Sequence, residues 1–215
     1  MGNKGIRAQI VEKKIEQDGI NVVYPQVTGL PDMEVQEKVN RAIEERVMAL
    51  MARQRVWPDE AGLKISEMTG TYRIGVNKSG ILSVRFENYI FPEMAVHGMT
   101  MVDSVTVDLE TGKVYKLSDF FQRGTGWIMA LNKIIAQQFK EKDIPMINEF
   151  RGITSNQDFY LTPNNLVIYF QIYEYTPYYV GIPEFEISYW KIINYIDEQG
   201  PIGRLLRDRS EKAGD

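Results

Sequence analysis

Residues 7–54, RAQIVEKKIEQDGINVVYPQVTGLPDMEVQEKVNRAIEERVMALMARQ, place a hairpin signal directly before a helix signal. Asp18-Gly19 supplies the positive φ values that a tight hairpin turn requires, so a strand is expected on either side of it. Pro31 and the acidic residues after it open a helix over residues 32–54, where Val35, Val39, Ile43, Val47 and Leu50 recur on one face. Its charged back, with Glu37, Arg41, Glu44 and Arg46, reads as a solvated face.

Outward from this stretch the hairpins repeat. Residues 71–76 and 81–90 flank Asn77-Lys78-Ser79-Gly80, and residues 100–109 and 113–117 flank Glu110-Thr111-Gly112. A second helix over 125–141 carries Trp127, Ile128, Leu131, Ile134, Ile135 and Phe139 on one stripe, with Pro145 beyond its end. Residues 158–161 and 166–172 pair around Pro163-Asn164-Asn165, residues 184–189 make a last strand, and the polar tail from Gly200 is expected to fray. The expected fold is α+β, a mainly antiparallel sheet built from hairpins with two long amphipathic helices packed on one face. The expected divisions are an N-terminal hairpin and helix (1–70), a sheet with the second helix (71–195) and a tail (196–215).

Residues 169–190, YFQIYEYTPYYVGIPEFEISYW, hold nine aromatic residues broken by Pro177, Gly181 and Pro183. Alternation through Ile168, Phe170, Ile172 and Glu174 reads as a strand with one buried face. Pro177 cannot donate to a ladder, so the strand is expected to end near Thr176. Tyr178 and Tyr179 then fall on a turn-like segment, where a phenol offers apolar area and a polar tip at low entropic cost.

The composition, 44% hydrophobic and 25% charged, is that of an ordinary globular protein. A net charge of −4, with no Lys/Arg stripe interleaved with aromatics, argues against a nucleic-acid partner. The absence of cysteine removes disulfides, thiolate metal sites and cysteine nucleophiles together. No apolar run approaches the roughly 20 residues that span a bilayer, so no membrane span is expected. The N-terminal stretch lacks the apolar core of a signal peptide. That fits either a cytosolic protein or a chain trimmed of its export or anchor segment.

Three stretches together are familiar: YPQVTGLPDMEVQEKVN (24–40), HGMTMVDSVTVDLETGKVYKLSDFF (97–121) and FYLTPNNLVIYFQIYEYTPYYVGIPEFEIS (159–188). They resemble the RsiV-type family, the extracytoplasmic domain of lysozyme-sensing anti-sigma factors, over roughly residues 5–190. Similar modules precede the catalytic domain of PdaC-type peptidoglycan deacetylases. The resemblance implies a non-catalytic binding or sensing domain outside a bacterial membrane. The sigma-binding segment and transmembrane helix of those anti-sigma factors have no counterpart in this sequence, so sigma-factor inhibition does not carry over. A c-type lysozyme is the implied ligand, with a peptidoglycan glycan, or a purely structural role beside a cell-wall enzyme, as alternatives. The partner-binding residues expected are Tyr175, Pro177, Tyr178, Tyr179 and Gly181.

Residue chemistry offers little for catalysis. His97 is the sole histidine and Gly-x-Ser-x-Gly is absent, which leaves no basis for a Ser-His-Asp triad and none of the clustered imidazoles of a zinc site. His97 is expected to fix a loop through a hydrogen bond. The remaining enzyme reading is a glycoside hydrolase. Asp103 and Asp108 are nearby carboxylates, and Glu184 and Glu186 would lie on one strand face about 7 Å apart. Acidic residues on an exposed strand face are also a common guard against edge aggregation. No metal or cofactor is expected.

Overall fold

The computed structural model describes residues 5–213, with side chains for residues 5–208. Residues 1–4, part of the stretch read above for a leader, lie outside the described residues. Strands β1 (Gln9–Gln17) and β2 (Ile20–Thr28) pair antiparallel with Gln17 opposite Ile20, and Gly19 takes φ 70° in the expected turn. Helix α1 (Met33–Glu60) starts at Asp32, whose carboxylate accepts from the backbone N–H of Glu34 (2.8 Å) and Val35 (3.1 Å), a cap that satisfies donors the helix leaves free. It returns the chain to β3 (Ile65–Lys78), which lies parallel to β2 over Ile20–Val22. Strands β4 (Ile81–Pro92) and β5 (Met99–Asp108) complete an antiparallel run, giving the order β1-β2-β3-β4-β5 with β5 at an edge.

α1 runs six residues past the expected end and takes Pro58 into its last turns. Gln54 holds that end down. Its buried amide donates to the carbonyls of Asn88 (2.8 Å) and Met99 (3.2 Å), so the helix continues along the sheet despite the hydrogen bond that proline removes. The helix's charged back is not uniformly solvated, since Arg46 reaches Asp103 at 3.6 Å and Glu44 accepts from the Tyr24 hydroxyl at 3.1 Å.

Beyond β5 the expected second strand shrinks to one bridge, Val107 with Val114, because the chain turns into a 3₁₀ segment (Leu117–Phe120) that buries Leu117 and Phe120. Helix α2 (Trp127–Glu141) follows as expected. A second antiparallel sheet then forms from β6 (Phe159–Leu161), β7 (Asn165–Tyr169) and β8 (Glu184–Ser188). Strand alternation assigns the layers. In β4, Leu82, Val84, Phe86 and Ile90 join the core under α1, while Ser83 and Arg85 point away from it. The small sheet covers that second face: Leu161 N–H donates to Ser83 Oγ at 2.9 Å, and Val167, Tyr169 and Tyr160 pack with Val102. Gly75 permits the approach, since a Cβ there would fall 2.1 Å from the Leu161 carbonyl oxygen. The other face of the small sheet, with Ile168, Phe185 and Ile187, packs on Leu131, Ile135 and Phe139 of α2.

The α+β class and the mainly antiparallel, hairpin-built sheet stand as expected. The two long helices, however, lie on opposite outer faces of a stacked sheet pair and not together on one face. The expected division at residue 70 falls inside β3, and a helix replaces the frayed tail. Helix α3 (Pro201–Ala213) inserts fully buried Ile202 and Leu205 into the α2 core, and Arg204 bonds Asp108 and Tyr115. The polar composition of 200–215 hid an apolar pair placed three residues apart, one helical face. Among the described residues no helix is long and apolar enough to cross a membrane.

Leu205→Ala should lower the unfolding free energy by about 2–5 kcal/mol, the usual cost of truncating a buried leucine. Urea denaturation measures it. An unchanged midpoint would mean that α3 contributes nothing to the core.

Candidate functional site

β7 ends at Tyr169, seven residues before the expected Thr176. The alternation beyond it is not a strand. Gln171 occupies the edge of β5 with its side chain, accepting from Val102 N–H (3.1 Å) and donating to the Val102 carbonyl (2.8 Å) as a paired strand backbone would. The chain then turns tightly, with Tyr173 at φ 70° and its N–H donating to the Thr176 carbonyl at 3.0 Å. Pro177 opens a short 3₁₀ turn (Tyr178–Val180), and Gly181 closes it at φ 77°, ψ −151°, a conformation open essentially to glycine alone.

The five expected binding residues separate. Tyr175 belongs to the core, ringed by Phe139, Phe150 and Phe170 at centroid distances of 6.1, 5.4 and 4.9 Å. Its aromatic type could not reveal this, because the reversal at Tyr173 turns it inward. Pro177 and Gly181 are the loop's fixed points. Tyr179 is 77% exposed. Tyr178 is half-buried and stacks on His97, ring centroids 4.4 Å apart.

His97 fixes its loop as expected, with Nδ1 donating to the Gly98 carbonyl at 2.9 Å, and in addition holds Tyr178. A Cβ at Gly98 would fall 2.3 Å from both the Tyr89 ring and the Ile90 carbonyl oxygen, so glycine is required there. The β4–β5 loop, residues 93–98, thus meets the 171–182 loop. It presents Met94, at φ 61° and 90% exposed, and Val96, 98% exposed. Sequence reading missed this loop as a partner, since only the fold brings 97 and 178 together.

Beneath the 171–182 loop lies a cleft of about 600 Å³. Arg73, Arg85, Glu87 and Thr100 of the large sheet form its floor. Residues 178–182 and Glu184 form its wall. Arg73 and Arg85 are direct cross-strand partners, a repulsive placement in itself. Glu184 bridges them: Oε1 accepts from Arg85 Nε at 2.6 Å, and Oε2 accepts from the Tyr160 hydroxyl at 2.9 Å and lies 3.5 Å from Arg73. Glu87 accepts from Arg85 at 2.8 Å and Arg73 donates to the Tyr160 hydroxyl at 2.6 Å. Burial opposes the charge on Arg85, yet Glu87 and Glu184 together raise its pKa. Burial pushes the Tyr160 phenol upward, and Glu184 adds to it. Continued from the Lys78–Ile81 pair, hairpin register would set Arg73 opposite Phe86; the bulge between Ile74 and Val76 shifts it opposite Arg85, so the turn by itself carried no signal for this pair.

The carboxylates weighed for hydrolysis do not converge. Glu184 and Glu186 do share a strand face, but Glu184 is held in the arginine network while Glu186 is exposed and accepts from Asn165 at 2.7 Å. Asp103 faces α1 and bonds Arg53 at 2.8 Å, and Asp108 faces the other way toward Tyr115 at 2.5 Å. Among the described residues no group of His, Asp and Glu is arranged to hold a metal ion.

Asp158 lines a second cleft of about 300 Å³ beside β5, with Arg46, Ser104 and Tyr115. Burial raises its pKa, and the nearby Asp103 raises it further, against the opposing pull of Arg53 and Arg46. A folded pKa above the unfolded one means that the ionised form destabilises the fold above the folded pKa, and that this penalty vanishes below the unfolded one. Asp158→Asn should therefore raise the thermal midpoint at about pH 7, with a gain that disappears at about pH 3, below the ordinary carboxylate range. A gain that persists in acid would assign it to packing. Gly181→Ala should strain the loop by about 1–3 kcal/mol, read as a lower thermal midpoint, and full stability would show that the loop simply rebuilds.

Residues 118–190, from the 3₁₀ segment through α2 and the small sheet to the end of the aromatic loop and β8, match the family described as "Protein of unknown function (DUF3298)". No curated protein matches the chain. A solved DUF3298 family member from Bacteroides fragilis is similar at TM-score 0.58 and 17% identity, covering 92% of this chain and 95% of that one. A DUF3298 family protein from Pseudomonas aeruginosa is similar at TM-score 0.60 and 14% identity, covering 88% of this chain and 93% of that one. The fold described above is thus shared, almost end to end, with solved DUF3298 proteins.

Proposed function

We propose that this chain is a non-catalytic, extracytoplasmic recognition domain that binds a protein ligand through the joined 93–98 and 171–182 loops, with a c-type lysozyme as the candidate. The observation that carries this reading is the apolar, aromatic surface of the two loops. Val96, Met94 and Tyr179 are exposed on loops that the Tyr178–His97 ring contact ties together. Tyr173 and Met94 also hold left-handed backbone at a cost of about 1–2 kcal/mol each, strain of the kind that gathers at binding sites. Exposed aromatic anchors on a fixed scaffold dominate protein interfaces. The resemblance of these segments to lysozyme-sensing ectodomains supplies the candidate ligand and the location outside the membrane. The non-catalytic reading is supported by the engagement of His97 and Glu184 in structural contacts.

Calorimetric titration with a c-type lysozyme at moderate salt tests the proposal, since an acidic chain can attract a basic protein non-specifically at low ionic strength. Saturable binding is expected. Tyr179→Ala should weaken it by on the order of 2 kcal/mol with the thermal midpoint unchanged, because the ring is exposed. Tyr178→Ala should weaken binding and also lower the midpoint, since it removes the stack on His97. Binding indifferent to both variants would move the interface elsewhere, and peptidoglycan cleavage in a zymogram would overturn the non-catalytic reading.

A further inference from the structure

The cleft beneath the 171–182 loop has a chemistry of its own. Its volume of about 600 Å³ is in the range of small-molecule sites, and its groups come in matched donors and acceptors. Arg73 is more than half exposed and spends one guanidinium nitrogen on Tyr160 and Glu184, leaving further donors toward solvent. Glu87 is 44% exposed in its side chain, and Thr100 adds a hydroxyl that both donates and accepts. The charge is balanced: Arg73 and Arg85 face Glu87 and Glu184. An anion would meet two carboxylates and a cation two guanidinium groups. A neutral ligand rich in hydroxyl groups can use the donors and acceptors without opposing a charge.

The walls narrow the class further. Ile172, Val180 and Ile182 line one side with apolar surface, and Tyr179 offers an exposed ring at the rim. Sugar rings have apolar C–H faces that lie on aromatic rings and hydroxyl edges that bond planar side chains. An acetamido group adds a methyl for the apolar wall and an N–H and carbonyl for the floor. We propose that this cleft binds a neutral N-acetylated oligosaccharide, with Arg73, Glu87 and Thr100 on its polar edge and Tyr179 on its face. The network of Glu184, Arg85 and Tyr160 fixes the floor before the ligand arrives, so little ordering cost remains. The two readings share Tyr179 at the rim, but the floor of this site lies on the sheet and not on the loop tips.

The test uses the whole chain and a tetramer of N-acetylglucosamine as the probe, followed by amide chemical shifts in a titration. Saturable shifts centred on residues 73, 85, 87, 100 and 179–182 are expected. Arg73→Met should weaken binding about tenfold, the loss of one charge-assisted hydrogen bond, with a small fall in the thermal midpoint from its lost bond to Tyr160, and Thr100→Val should weaken binding at unchanged midpoint. Absence of saturable shifts would overturn the proposal, as would binding unaffected by Arg73→Met or displacement of the sugar by inorganic phosphate, which would mark an anion site. Lysozyme binding measured on the same Arg73→Met variant separates the two readings, because it should be unchanged.

Discussion

The contact on which the rest depends is the seating of β6 across the back of the large sheet. Leu161 N–H donates to Ser83 Oγ, Ser83 pairs with Thr106 at 2.8 Å, and Ser104 donates to the Phe159 carbonyl. These polar groups are buried, and each left unpaired would cost about 1–3 kcal/mol. Their mutual satisfaction holds the two sheets in one alignment, while Val102, Val167, Tyr160 and Tyr169 supply the apolar contact. β7 and the first four residues of β4, 81–84, are buried on both faces as a result. That is why LVIYF reads as a continuous apolar run and not as an alternation.

The cleft follows from a mismatch of lengths. β3 and β4 are 14 and 12 residues long, whereas β6, β7 and β8 have 3, 5 and 5. The small sheet therefore covers only part of the back face, and the remainder, with Arg73, Glu87 and Thr100, stays accessible. The 171–182 loop overhangs it because Gln171 fastens the start of that loop to β5 and the Tyr178–His97 stack fastens its middle to the β4–β5 loop. An ion pair at a surface contributes little, but Arg85 is only 11% exposed in its side chain and must be compensated in place. Glu184 and Glu87 do so, and the same compensation leaves the cleft neutral.

Much of the fold was legible because local patterns agreed with it. The Asp18-Gly19 turn, the stripe Val35 to Leu50 and the α2 stripe each read correctly, since turn chemistry and helical period do not depend on distant residues. The ends of elements were less legible: α1 passes Pro58 because Gln54 is anchored on β4 and β5, and β7 stops at Tyr169 because the Gln171 side chain does the work of backbone. Of the five residues expected at the site, the loop order alone marked Pro177, Tyr178, Tyr179 and Gly181. It could not distinguish Tyr175, whose burial depends on Phe139 from another helix.

The sequence by itself determined the α+β class, the hairpins about Asp18-Gly19, Asn77–Gly80 and Pro163–Asn165, both long helices and the aromatic loop, because these rest on spacing and on the backbone limits of glycine and proline. Tertiary structure alone decided that the two sheets stack back to back with a helix on each outer face. It also decided that residues 202 and 205 belong to a core, and that Arg73, Arg85, Glu87 and Glu184 share one cleft. Contacts such as Arg85 with Glu184 join residues 99 positions apart, and no local pattern encodes which face of one sheet will meet another.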